Sequence, residues 1–250
     1  MNIIFITDLH IGAAGEDTYG VDVRQNFLNI LEEIKKQTAD HLIIGGDLCY
    51  RDGEATIYTW IKSHLDQLAI PYDLIAGNHD DSKLIADAFG LHEEFQDQAL
   101  YYHRAFPHWD AFFLDTSTGV LTDPQLHWLQ ARLASCEQSP IIFMHHPPLA
   151  AQVNFMDNHH ALKNMEAVQT ILKKDHRIIP VFTGHYHTEK TVVEQNIVQQ
   201  ITPSCFTQID QFAPNFKVAH HQIAYRIIQL SKGNWKSSVF YRSGAQLSRG

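Results

Sequence analysis

Residues 72–80 read Tyr72-Asp73-Leu74-Ile75-Ala76-Gly77-Asn78-His79-Asp80. The first five are largely apolar and short enough for a buried strand. Gly77 then permits a sharp turn, after which Asn78 offers a neutral carbonyl oxygen and His79 an imidazole. By itself this is a polar turn after a strand. Four further apolar stretches end in the same way. Ile3 to Thr7 runs into Asp8-Leu9-His10, and Leu42 to Gly46 into Asp47. Ile141 to Met144 runs into His145-His146, and Ile178 to Thr183 into Gly184-His185-Tyr186-His187. Strand ends that all release metal-type ligands point to one edge of an α/β sheet, where ligands bind in open sheets.

Outward from that stretch, strand, loop and helix alternate. Val23 to Lys36 is an amphipathic helix with Phe27, Ile30, Leu31 and Ile34 on one stripe. His41 to Gly46 is a strand, and Ala55 to Leu68 a helix. A third helix spans Ser82 to Phe89, with Ser82 as its expected N-cap. Leu100 to Ala105 and Ala111 to Asp115 read as strands of a second sheet. Thr122-Asp123-Pro124 starts a helix reaching about Leu133, and after a long loop to Asn158 another covers Leu162 to Lys173. Val192 to Ile201 and Ile223 to Tyr241 read as hairpins turning at Gln195-Asn196 and Gly233-Asn234. The expected architecture is α/β: two packed sheets flanked by helices, in one domain spanning 1–250.

The net charge of −9 over 250 residues disfavours a nucleic-acid partner, although bound cations would offset part of it locally. No apolar run approaches the ~20 residues of a membrane span. The first strand follows Met1 almost at once, leaving no room for a signal peptide. The three cysteines, Cys49, Cys136 and Cys205, form neither a disulfide framework nor a CxxC site. A cytoplasmic location is expected. Most of the 17 histidines, such as His41, His64 and His103, sit singly and need no function.

The strand-end residues supply seven candidate ligands: Asp8, His10, Asp47, Asn78, His145, His185 and His187. Asp8 and His10 are two apart, as are His185 and His187, so each pair shares a side in extended backbone. Seven donors exceed one tetrahedral site and suit two metals. Asp47 is able to bridge. Asp8, His10, Asp47 and His187 sort to one ion, and Asp47, Asn78, His145 and His185 to the other. Imidazole, carboxylate and amide oxygen together suit Mn, Fe or Zn.

Asp8-Leu9-His10, Gly46-Asp47, Gly77-Asn78-His79-Asp80, His145-His146-Pro147-Pro148 and Gly184-His185-Tyr186-His187 resemble, in order, the five signatures of calcineurin-like metallophosphoesterases. The HHPP run, Met156-Asp157 and Thr202-Pro203-Ser204-Cys205-Phe206 are similar to bacterial class III cyclic-nucleotide phosphodiesterases, with glycerophosphodiesterase a near neighbour. The resemblance implies a four-layer αββα sandwich and a binuclear phosphoester hydrolase. It also implies that His145 is the ligand of the HHPP pair and His146 stands behind it. Gly46-Asp47-Leu48-Cys49-Tyr50 also matches the Gly-Asp-x-x-Tyr pattern of purple acid phosphatases. Those enzymes lack a histidine at the place of His10, so Tyr50 is expected beside the metals and not on them. Arg51 stands where protein phosphatases of the superfamily hold phosphate; a surface salt bridge to Asp52 or Glu54 is an equal reading.

The expected chemistry is attack of a metal-bridging hydroxide on a small phosphodiester, with 3',5'-cyclic AMP foremost. His79 is placed towards the leaving group as general acid or phosphate donor. Asp80 either orients it or is a plain carboxylate at a helix start. The loops at Tyr19, Asn154-Met156-Asp157 and His220-His221 are expected to decide the substrate. The rival readings are a glycerophosphodiesterase, a phosphomonoesterase, and a degenerate protein-binding scaffold. Neither a nucleic-acid nor a membrane partner is expected, and an oligomer is open.

Overall fold

The computed structural model describes residues 1–247. In chain order the strands and helices are β1 (Asn2–Ile6), α1 (Val23–Lys35), β2 (His41–Ile44), α2 (Ala55–Leu65), β3 (Tyr72–Leu74) and α3 (Ser82–Phe89). Then come β4 (Phe95–Gln96), β5 (Ala99–Leu100), β6 (Tyr102–Phe106), β7 (Trp109–Leu114), α4 (Asp123–Ser135), β8 (Ser139–Met144), α5 (Asn154–His159) and α6 (Met165–Lys173). The chain continues through β9 (Ile179–Thr183), β10 (Lys190–Glu194), β11 (Ile197–Ile201), β12 (Gln208–Ile209), β13 (Val218–His220), β14 (Gln222–Ser231) and β15 (Asn234–Ser243).

Two mixed sheets carry the fold, one in the order β15-β14-β1-β2-β3 and one in the order β10-β11-β9-β8-β7-β6. The alternation of side chains along β8 shows the layering. Ile141 and Phe143 enter the core that also takes in β1, β2, α1, α2 and α3, whereas Ile142 and Met144 enter a second core with Leu129, Leu133, Val168 and Leu172 of α4 and α6. Between the sheets, the Phe5 and Phe143 rings stack at 5.9 Å, and Phe143 stacks on Phe113 and Phe182 at 5.2 and 5.7 Å. This is the expected αββα sandwich. Among the described residues no helix is long and apolar enough to cross a membrane.

Three local expectations change. Asp81, not Ser82, caps α3, its carboxylate accepting from the Leu84 N–H at 2.9 Å. The Ser82 hydroxyl is turned instead to Asp115 on the second sheet. α2 tightens into a 3₁₀ turn over Asp66–Leu68. The loop before Asn158 contains a helix, α5, and α6 begins only at Met165.

Candidate metal centre

β1, β2 and β3 run parallel to one another, as do β8 and β9, so their carboxyl ends gather at one edge. The loops that leave them are stitched together. The Asp8 N–H donates to the Gly46 carbonyl at 3.0 Å, and the His10 N–H to the Asp47 carbonyl at 3.0 Å. Asp8, His10, Asp47, His185 and His187 all take positive φ, from 45° to 66°. The candidate pairs therefore converge through left-handed turns and not through strand alternation. Such backbone costs about 1–3 kcal/mol at a non-glycine residue, persists where its surroundings impose it, and clusters at functional sites. The glycines have a steric reason. A Cβ at Gly77 would press on the Asp47 carboxylate, and one at Gly184 on Thr7 and Asp8. Gly77 serves this close approach and does not itself adopt positive φ.

The buried side chains form two groups that share Asp47: Asp8, His10, Asp47 and His187, and Asp47, His145 and His185. Backbone carbonyls set the tautomers of three of these histidines, because a carbonyl only accepts. His187 Nδ1 donates to Thr207 O at 2.9 Å, which leaves its Nε2 facing Asp8 Oδ1 at 3.2 Å and His10 Nε2 at 3.1 Å. His145 Nδ1 donates to Gly45 O at 2.7 Å, so its Nε2 faces Asp47 Oδ2 at 3.2 Å. His185 Nε2 donates to His160 O at 2.8 Å and keeps Nδ1 as the free donor atom. Nε2 of His145 and Nδ1 of His10 are buried without a hydrogen-bond partner. Lone pairs that converge on carboxylates in a buried site fit divalent metal ions.

The electrostatics agree at two of the histidines and differ at a third. Burial pushes His10 and His185 down to about 3, so both are neutral, as ligands must be. Burial alone would lower His145, but Asp47 and Asp8 raise it to about 9. Burial would raise Asp8, and the facing His187 overrides it.

Asn78 is exposed and lines the cavity above these groups. His79 lines it as well; its Nδ1 donates to Arg51 O at 2.8 Å and its N–H to Asp47 Oδ1 at 2.9 Å. His146 lies behind the donors, its ring 4.0 Å from that of His185 and its Nδ1 on the Thr116 hydroxyl. Tyr50 lines the cavity wall against Phe206.

Two candidates for catalysis sit elsewhere. Asp80 does not touch His79. Its carboxylate accepts from the N–H groups of Leu48, Cys49 and Gly77 and from the Tyr58 hydroxyl, tying the β2 and β3 loops together. The Arg51 guanidinium is exposed and bonded to Glu16 at 2.7 Å, and not to Asp52 or Glu54. Of the loops expected to shape the cavity, Tyr19 and Met156 line it, whereas His220 faces a different cavity beside Tyr241. Asp157 is occupied by the Ala151 and Val153 N–H groups and Tyr186. Phe155, His160, Ile209 and Phe216 line the cavity without a sequence signal to mark them. The cavity measures about 360 Å³, within the range of small-ligand sites.

Residues 1–189 match the model of the calcineurin-like phosphoesterases. The chain belongs to this family. The phosphoesterase is accordingly a hydrolase of phosphoric esters. It is 30% identical over 237 residues to a probable cyclic nucleotide phosphodiesterase of Fibrobacter succinogenes, covering 94% of this chain and 92% of that one. The 3',5'-cyclic adenosine monophosphate phosphodiesterase CpdA of Escherichia coli K12 is 26% identical over 242 residues, 92% of this chain and 85% of that one. A dimetal phosphatase from Danio rerio shares the fold of the phosphoesterase, with a TM-score of 0.67 at 14% identity over 99% of both chains.

Proposed function

We propose that the protein is a binuclear metal-dependent phosphodiesterase acting on small phosphodiesters, 3',5'-cyclic AMP foremost, and that it works as a single domain. One observation carries this: two donor groups sharing Asp47 lie at a cavity whose lining, among the described residues, contains no Lys or Arg. A phosphomonoester is close to a dianion at neutral pH, whereas a diester carries one charge. The absence of a cationic side chain supports the diester.

Asp8, His10, Asp47 and His187 would hold one cation, and Asp47, Asn78, His145 and His185 the other, with Mn, Fe or Zn matching the donors. Bound there, the cations would lower the pKa of water towards ~7 and neutralise charge on phosphoryl oxygens. His79 acts beside them. Its Nδ1 proton is engaged by the Arg51 carbonyl, so Nε2 is the atom that holds and gives up a proton, and it protonates the leaving oxygen. Asp80 and the Arg51 backbone carbonyl hold the loops that present Asp47 and His79.

Hydrolysis of cyclic AMP, cyclic GMP, glycerophosphocholine, and bis- and mono-p-nitrophenyl phosphate by the reconstituted enzyme tests the proposal. Preference for the cyclic nucleotides over the monoester is expected. Preference for the monoester, or for glycerophosphocholine, would replace the proposal by the corresponding rival, and no hydrolysis with metals in place would favour a scaffold.

A further inference from the structure

The cavity beside the donor groups is walled by aromatic rings from distant parts of the chain. On one side Tyr19 packs edge-on to Tyr50 at 6.3 Å, and Tyr50 to Phe206 at 6.0 Å. On another, Phe155 packs on Phe216 at 5.8 Å. Tyr19 is 71% and Phe216 49% exposed. Exposed apolar side chains scattered singly need no explanation, but rings grouped around one cavity are the kind of apolar lining that marks a ligand site.

Both are held there by the backbone. Tyr19 takes φ of +54°, uncommon for a bulky residue, in a turn closed by the Val21 N–H on Thr18 O at 3.0 Å. Phe216 lies in the loop joining β12 to β13, which α5 grips. The Asn154 N–H donates to Gln211 O at 2.9 Å and its side-chain amide to Phe212 O at 2.8 Å. That grip brings Phe155 beside Phe216. The ribbon is in turn tied to the site, since the Ile209 N–H donates to His187 O at 2.9 Å.

We propose that Tyr19, Phe155 and Phe216 bind the planar base of a nucleotide diester whose phosphate sits over the donor groups, and so set the preference for nucleotides over ring-free diesters. The proposal rests on the phosphodiesterase reading. Three features favour a base over an alkyl tail or a charged headgroup. The rings offer π-faces, which every base stacks on. Among the described residues the lining contains no Lys or Arg for a second phosphate. The volume of about 360 Å³ lies in the range of small-ligand sites.

The test uses the Phe216→Ala and Tyr19→Ala variants, both at exposed positions, with Phe216→Tyr as the conservative control. KM and kcat are measured for cyclic AMP and for glycerophosphoethanolamine, which has no ring. Binding of the phosphorothioate analogue of cyclic AMP and of dimethyl phosphate is measured by calorimetry on the metal-loaded protein. Loss of one stacking ring corresponds to roughly 5- to 150-fold. KM for cyclic AMP and Kd for its analogue should rise at least about fivefold in each alanine variant, with kcat and all values for the ring-free compounds within about twofold. Phe216→Tyr should behave as wild type. Equal losses for ring-bearing and ring-free compounds, or no loss for either, overturn the proposal. Ring-dependent binding without hydrolysis of any diester upholds the base site and removes the phosphodiesterase reading. Diester hydrolysis with no preference for ring-bearing analogues does the reverse.

Discussion

The unpartnered Nε2 of His145 stands 3.2 Å from Oδ2 of Asp47, and Asp47 also belongs to the group formed by Asp8, His10 and His187. A carboxylate common to both groups makes its loss different in kind from the loss of a terminal donor. Asp47→Asn is expected to weaken both cation sites together. His145→Ala should weaken one. His146→Ala should cost only about 10–100-fold in affinity, as supporting residues do. Metal affinity measured for the three variants checks the ranking. If His146→Ala lost a metal and His145→Ala did not, the ligand assignment would be reversed.

Gly77 has little room for any side chain, because a Cβ there would press on the Asp47 carboxylate. Gly77→Ala is expected to destabilise by about 1–3 kcal/mol, the range for forced overpacking, and to reduce metal retention. Thermal unfolding of the metal-free and metal-loaded variant measures both. An unchanged metal affinity would mean that the loop relaxes without moving Asp47.

His79 lines the cavity, and with Nδ1 engaged by Arg51 O its free ring nitrogen is Nε2. His79→Ala should keep both metals. General acid help is worth ~10²–10⁴-fold, and only where the leaving group needs a proton. The loss should therefore be much larger on cyclic AMP than on bis-p-nitrophenyl phosphate. Equal losses would point to phosphate binding instead, and loss of metal would make His79 structural or a ligand.

Asp80 accepts from four donors drawn from the β2 loop, the β3 loop and α2. Asp80→Ala strands buried donors at about 1–3 kcal/mol each. It should lower Tm and metal affinity, and reduce rates equally on good and poor leaving groups. A loss that followed the leaving group, as for His79→Ala, would show that Asp80 works through His79. Arg51→Ala, which removes an exposed ion pair to Glu16 and a guanidinium contact on the Tyr50 ring at 5.5 Å, should leave activity within about twofold.

The layers and the gathering of the buried Asp and His side chains at one edge were legible because both follow from local pattern. Apolar strands that each end in Asp or His place those residues at one sheet edge without knowledge of any contact. What was not legible depends on partners far along the chain. Asp80 reads as a partner of the adjacent His79 because three of its own partners lie well back in the chain: Leu48 is 32 residues earlier, Cys49 31 and Tyr58 22. Arg51 has Asp52 and Glu54 close by, but its ion pair is with Glu16, 35 residues away. Strand alternation explained the pairing of Asp8 with His10, yet left-handed backbone performs it. α5 is six residues long and lacks a side-chain cap, so no terminal signal marked it. Phe155 and Phe216 become a pair only when Asn154 docks on the β12–β13 loop.

Two cation sites joined by Asp47 underlie the roles proposed for every residue above, and metal stoichiometry is their most direct test. The purified protein would be stripped, reconstituted with Mn or Zn, and analysed for bound metal alongside activity on cyclic AMP. A plateau at two equivalents per chain is expected in the wild type, falling towards one in His187→Ala and in His145→Ala. A firm plateau at one equivalent with full activity would contradict the two sites.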